Sequence, residues 1–500
     1  MTHTALVSID WLALAPVVAP AGGAVVALVL DAVLPRAVRV HAPVAVLALV
    51  VGIACAVPGV ARPASQPWRT LCLPAPDGAC LYESGPLVSA FQVAALASAL
   101  VVLLLMWPAG RNDGEPDETR GGPAVLVSLV LAATAGAAGV AAAHDLGSWL
   151  VCLELATLPA IALVALRGTR AAGRGALALL TTSLVSFAMV VLGGALWLTA
   201  TGEAVFAPGS AGTALADTHR RPVLLLGVLF LVAGLAFKLS LAPFHAWTPQ
   251  AYAGASSPVA AFLAGTSKVA ALAALLVVLR PLTQVAGPVL LGIGLLAAVS
   301  MTVGNLIALV QDDPVRLLAW STVAQAGWVI LPLSAMRPTS AAASGGYLLA
   351  YVVATLVAFT VVHLVSGAGR SGEAPSGRTL AAYAGLLRAH PLLGGALGLA
   401  LLSLAGLPPG VVGLVAKVVA LRPVVGAEQW VLALVAVANA VLGIAVYVRW
   451  FAVLLRDPGQ APTAPWIGRI PRPALVALVV GGAALVLTSV LPQLLLGLLA

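Results

Sequence analysis

Apolar runs of about twenty residues, separated by short polar connectors, recur along all 500 residues of the chain. A run of that length crosses the hydrocarbon core of a bilayer as a helix. In lipid the backbone must satisfy its own hydrogen bonds, which leaves only helices and closed barrels. The runs are continuous and lack the two-residue alternation of a barrel strand, so they are helices. We count fourteen, near 11–30, 42–60, 86–107, 123–143, 146–166, 176–198, 222–247, 257–279, 287–310, 315–334, 345–366, 391–420, 429–452 and 474–496. Only 8% of residues are charged and the mean hydropathy is +1.08, too apolar to cover a water-exposed surface. The fold class is an all-α polytopic membrane protein.

A net charge of +8 would point to nucleic acid in a soluble chain; here it sets topology instead, because the arginines sit in loops and at span ends. Loops after odd-numbered spans hold 15 of them: Arg36, Arg39, Arg111, Arg120, Arg167, Arg170, Arg174, Arg316, Arg370, Arg378, Arg388, Arg449, Arg456, Arg469 and Arg472. The other side holds 7: Arg62, Arg69, Arg220, Arg221, Arg280, Arg337 and Arg422. The positive-inside rule then places both termini outside. No basic residue precedes Arg36, so a signal-peptide n-region is not expected. The four cysteines have no metal or redox spacing. Cys55 and Cys152 read as small apolar fillers, while Cys72 and Cys80 share a polar loop and form a disulfide only if it faces an oxidising compartment.

Two spans are interrupted. Span seven carries Pro243 in its second half, and span twelve carries Pro408, Pro409 and Gly410 at its middle. Each proline removes an N–H and clashes with the carbonyl four residues earlier, freeing carbonyls near Leu239, Leu404 and Ala405. Free carbonyls at membrane depth persist only beside protein or a hydrated cavity. Broken helices five spans apart suggest two inverted five-helix units. The expected organisation is a three-helix segment over 1–122, repeats over 123–280 and 287–455, and a last helix within 473–500.

Lysine usage carries the chemistry. Of 25 basic residues only three are lysine (Lys238, Lys268 and Lys417), and all three fall inside spans. Arginine keeps its proton, whereas a desolvated lysine can release one. Snorkelling fails for Lys268, roughly 16 Å from either span end. A buried charge costs about 2.5–3.5 kcal/mol on insertion scales, so three in one chain imply use. Glu154 is the single carboxylate deep in a span and reads as a partner to one lysine. His245, seven residues past Lys238, suits a proton exit on the same face, and His363 is a candidate bridge or a core histidine. His41, His144 and His390 read as interfacial, and Gln311 and Gln325 as water holders between charged sites. No phosphate cradle or cluster-binding cysteine set is present, so redox chemistry belongs to another chain.

Four segments carry a family resemblance: CLELATLP, FKLSLAPFHAWTPQAYAGASSPVAAFLAGTSKVA, NLIALVQDDPVRLLAWSTVAQAGW and LLSLAGLPPGVVGLVAKV. In order and spacing, over about 120–455, the chain resembles the antiporter-like subunits of respiratory complex I. Lysine in span twelve suits the N branch of bacterial NADH:quinone oxidoreductase rather than the M branch. The resemblance implies a Glu154–Lys238 pair in a first half-channel, Lys268 as central relay and Lys417 as the terminal site of a second. It implies a translocase subunit in a bacterial cell membrane, with sister membrane subunits as partners and no cofactor in this chain. NADH, FMN, iron–sulfur clusters and quinone would belong to partner subunits. Departures from the pattern are Gln325 for a histidine, Gln250 for an aspartate, Trp320 and Trp328 for tyrosines, and Ala416 for a glycine. The rival readings are a subunit of a multisubunit cation/proton antiporter or membrane-bound hydrogenase, and a non-conducting structural subunit.

Overall fold

A computed structural model describes residues 9–34, 40–72, 80–107, 122–206, 209, 211–282, 288–366, 378–457 and 470–496. Arg36, Arg39, Arg111, Arg120, Arg370 and Arg469 therefore lie outside the described residues. Thirteen of the expected spans are helices long and apolar enough to cross a membrane. The remaining one, span twelve, consists of two half-helices of 15 and 16 residues, Pro391–Ala405 and Val411–Gly426.

Burial sorts the spans into layers. Span eight (Ser257–Leu279), span ten (Pro314–Ala335) and span eleven (Ser340–Ser366) are buried over 89%, 94% and 89% of their apolar windows, so they form the centre. Span one (Trp11–Val33), span two (His41–Val60), span thirteen (Trp430–Leu455) and span fourteen (Arg472–Val490) are buried over only about a third, leaving residues such as Val431 and Leu434 facing lipid.

Four interruptions position the site. Span five (Leu146–Ala165) breaks at Ala156–Thr157 into two short helices, and span eight breaks at Gly265; sequence reading had both as continuous. Span seven (Arg220–Leu239) ends at Ser240, whose φ of 66° is left-handed, three residues before Pro243. The chain turns and resumes as Trp247–Gly254. The break thus precedes the proline, and the clash with the Leu239 carbonyl is avoided. In span twelve the helix stops at Gly406, where φ is +80°, and restarts at Val411. The two halves then pack so closely that a Cβ on Gly413 would overlap the Ser403 carbonyl oxygen.

Outside the spans, Trp68–Cys72 (β1) and Cys80–Ser84 (β2) form an antiparallel hairpin with Cys72 opposite Cys80, and the two are disulfide-bonded. The hairpin is tied down by Asp10 N–H donating to Thr70 Oγ1 (2.9 Å) and Tyr82 Oη donating to the Ala13 carbonyl (2.7 Å). Arg280, past the end of span eight, reaches it through Glu83 Oε1 (3.1 Å) and also donates to His144 Nε2 (3.0 Å). Burial, then the Arg280 charge, pushes the His144 imidazole down to about 4. Burial raises the Glu83 carboxyl, but His144 and the guanidiniums of Arg280 and Arg69 outweigh it and hold it below its ordinary value. Both folded values are depressed, so this contribution to stability is present at neutral pH and is lost on acidification. For His144 the loss runs from about pH 6.5, where the unfolded imidazole takes its proton, down toward 4. Amide hydrogen exchange in β2 should therefore accelerate between those pH values, once corrected for intrinsic rates. His144→Gln should remove that part of the dependence, and a flat wild-type profile would contradict the assignment.

Candidate functional site

The line of sites starts where span five meets span seven. Glu154 lies just before the break at Ala156–Thr157, and Lys238 lies on the last turn of span seven. Lys238 Nζ donates to Glu154 Oε1 at 3.0 Å and to Thr157 Oγ1 at 2.8 Å. Both side chains are shielded, with relative exposures of 8% for Lys238 and 16% for Glu154. A cavity of about 30 Å³, enough for about two waters, adjoins the pair and is lined by Thr157, Thr182, Ser183, Ser186, Lys238 and Ser267.

The helix end at Ser240 releases carbonyls that would otherwise be bonded within the helix. Lys268 Nζ takes one, donating to the Lys238 carbonyl at 2.9 Å and to Ser240 Oγ at 2.5 Å. It also lies over the Trp247 ring at 4.7 Å, a cation–π contact, while Trp247 Nε1 donates to the Phe237 carbonyl at 2.9 Å. Lys268 is 2% exposed and, among the described residues, has no carboxylate partner. Its ammonium rests on neutral groups: a carbonyl, a hydroxyl and a ring face.

The same device recurs in span twelve. Lys417 Nζ donates to the carbonyls of Leu404 (3.2 Å) and Ala405 (2.5 Å), the two that Pro408 and Pro409 were expected to free. The lysine occupies them directly, so protein rather than a hydrated cavity satisfies them. Trp328 lies 5.8 Å from the ammonium.

Between these lysines sits a buried set of neutral groups. Tyr347 Oη donates to Gln325 Oε1 (2.5 Å), and Gln325 Nε2 donates to Tyr447 Oη (2.8 Å). Ser321 shares a bond with Tyr447 (2.6 Å) and Thr322 with Tyr351 (2.8 Å). A cavity of about 10 Å³, room for about one water, opens among Gln325, Tyr347, Tyr351, Ser403 and Leu404, next to Lys417. A second polar cluster joins span nine (Val289–Ala308) to span thirteen: Asn305 Nδ2 donates to the Asn439 carbonyl at 3.1 Å, and Asn439 Nδ2 to Thr302 Oγ1 at 3.0 Å. The sequence points to Gln325 but not to its tyrosine partners, nor to the asparagine cluster, though a lone Asn in each of two apolar spans is a usable signal.

Other expected residues fall elsewhere. His245 lies in the turn after span seven rather than on its helical face, with its ring 5.1 Å from that of Trp320. His363 is half-buried near the end of span eleven, about 18 Å along the helix from Tyr351. Gln311 lies past the end of span nine beside Arg449, not between lysines. His41 and His144 lie at span ends, as expected, and are buried there by the protein, His41 lying 3.4 Å from Asp31.

Residues 143–443 match the family described as NADH:quinone oxidoreductase/Mrp antiporter, transmembrane. NADH-quinone oxidoreductase subunit N 2 of Streptomyces griseus is 37% identical, over 97% of this chain and 92% of that relative. NADH-quinone oxidoreductase subunit 14 of Thermus thermophilus is 37% identical, over 82% and 86% respectively. Among solved structures, a chain of respiratory complex I from Thermus thermophilus superposes with a TM-score of 0.78 at 31% identity, covering 97% of this chain and 99% of that one. A chain of the Mrp complex from Dietzia sp. gives 0.83 at 22% identity over 98% and 96%, a likeness of fold.

Proposed function

Because the chain belongs to the NADH:quinone oxidoreductase/Mrp antiporter family, we propose that it is the N-type proton-translocating membrane subunit of a complex I-like NADH:quinone oxidoreductase. The observation that carries this reading is the use of the breaks in spans seven and twelve. Each broken span presents freed carbonyls at membrane depth, and each set holds one lysine ammonium. Glu154 and Lys238 form the controlling pair, Lys268 is the central relay and Lys417 the terminal site. His245 and His363 are accessory relay candidates at the margins. Water in the cavity beside Lys238 delivers the proton, and the Gln325–tyrosine set links the two halves by reorienting hydrogen bonds, since none of its groups needs to change charge. Redox cofactors and quinone belong to partner subunits.

The two inverted units over 123–280 and 287–455, flanked by 1–122 and 473–500, are part of the same proposal. So is the orientation with both termini outside. The disulfide between Cys72 and Cys80 supports it, because such bonds persist in oxidising compartments and this loop follows an even-numbered span. A reporter fused at the C-terminus should be active on the outer side only; cytoplasmic activity would overturn the orientation.

The identities favour the oxidoreductase over the cation/proton antiporter, 31% for the Thermus complex I chain against 22% for the Mrp chain. Purifying the tagged chain from native membranes tests this. Copurifying flavin- and cluster-bearing subunits would support the reading, and small antiporter subunits alone would replace it.

A further inference from the structure

A further cavity lies away from the lysine line. It measures about 830 Å³ and lies where spans two, three (Pro86–Met106), four (Gly122–Ala142) and eight end beside the hairpin. Its floor is apolar, made by Leu87, Phe91, Ala273 and Leu276. Its rim carries Arg62, Arg280 and Arg337, against one carboxylate, Glu83, which Arg280 and Arg69 already pair at 3.1 and 3.3 Å. Arg62 is stacked 4.5 Å over Trp68, and Arg337 donates to the Gly426 carbonyl at 2.6 Å; among the described residues neither forms an ion pair with a carboxylate. The rim therefore holds excess positive charge on positioned guanidiniums.

We propose that this cavity binds an anionic phospholipid, its headgroup phosphate on Arg62 and Arg337 and the upper part of an acyl chain on the Leu87–Phe91–Leu276 floor. The two levels match that molecule. Leu276 and Ala273 lie four and seven residues before Arg280, about 6 and 10 Å deeper along span eight than the arginine backbone. The rim sits where spans two, three and eight end, the headgroup level of a bilayer. Guanidinium is the group best shaped for phosphate. A free phosphate would satisfy the rim but leave the apolar floor uncovered, and a zwitterionic lipid would bring its own cation to an already basic rim. The volume is that of a pocket built for a ligand rather than a packing fault.

The test uses the assembled complex, delipidated in mild detergent and titrated with spin-labelled phosphatidylglycerol. The wild type should show one saturable site that phosphatidylcholine fills poorly and inorganic phosphate does not clear. The double variant Arg62→Gln/Arg337→Gln should weaken binding roughly 30-fold, taking about fivefold for each charge. Leu276→Trp, which fills the floor and leaves every arginine, should also lose the site, so the two variants fail through different parts of it. Each is checked for normal content of this chain in the complex. Wild-type affinity in both variants would overturn the proposal. So would full displacement by inorganic phosphate, which would mark an anion site only, or a density map showing a segment of a neighbouring subunit filling the cavity.

Discussion

Lys238→Met should abolish proton translocation and destabilise the chain, while Lys238→Met combined with Glu154→Gln should recover stability but not translocation. Lys238 and Glu154 are bound at 3.0 Å and both are shielded from solvent. Removing one partner from such a pair typically costs about 3–5 kcal/mol, because the other is left as an uncompensated buried charge. Removing both charges at once takes that penalty away, so the double variant should be closer to wild type in thermal stability than the single one. Transport behaves differently, since both variants lack the Lys238 amine, which lines the water-sized cavity beside Thr157. Measuring thermal stability of the assembled complex alongside proton uptake separates the two effects. Additive destabilisation would mean that the pair is not coupled.

Lys417→Arg should be as damaging to transport as Lys417→Met, although it keeps the charge. The ammonium sits on two carbonyls, and a Cβ at Gly406 would lie only 3.1 Å from Nζ, so the pocket is shaped to the lysine tip. A planar guanidinium is bulkier than the ammonium tip and presents its donors in a fixed fork, and it does not give up its proton. Size and permanence of charge thus act in the same direction. Lys417→Met isolates the loss of the proton carrier from any effect of bulk.

The lysines were legible because burying an ammonium is so unfavourable that three in apolar spans had to be in use. The proline breaks were legible for a similar reason, since Pro408 and Pro409 leave Leu404 and Ala405 without donors whatever the tertiary fold. What the sequence concealed was who satisfies those carbonyls. Lys417 lies 12 residues from Ala405, and only the fold-back of the half-helices around Gly413 brings its ammonium there. Ser240 and Thr157 escaped notice because hydroxyl residues are common in apolar helices, where they bond their own backbone; Ser240 was distinguishable only once its left-handed backbone had ended the helix. The Gly265 break in span eight left no proline as a marker. The hairpin was obscured by the proline- and glycine-bearing loop around it, though Trp68–Cys72 and Cys80–Ser84 are strand-like in composition.

The central claim is that protons pass along this line of lysines by protonation change, and Lys417 is where fixed and switchable charge can be told apart. The most direct measurement reconstitutes assembled complex carrying wild-type chain or Lys417→Arg in sealed vesicles and follows NADH oxidation and proton uptake together. The account predicts continued electron transfer with a clearly lower number of protons moved per quinone reduced. The same number in the Arg variant as in wild type would show that Lys417 serves only as a fixed positive charge, and would contradict the account.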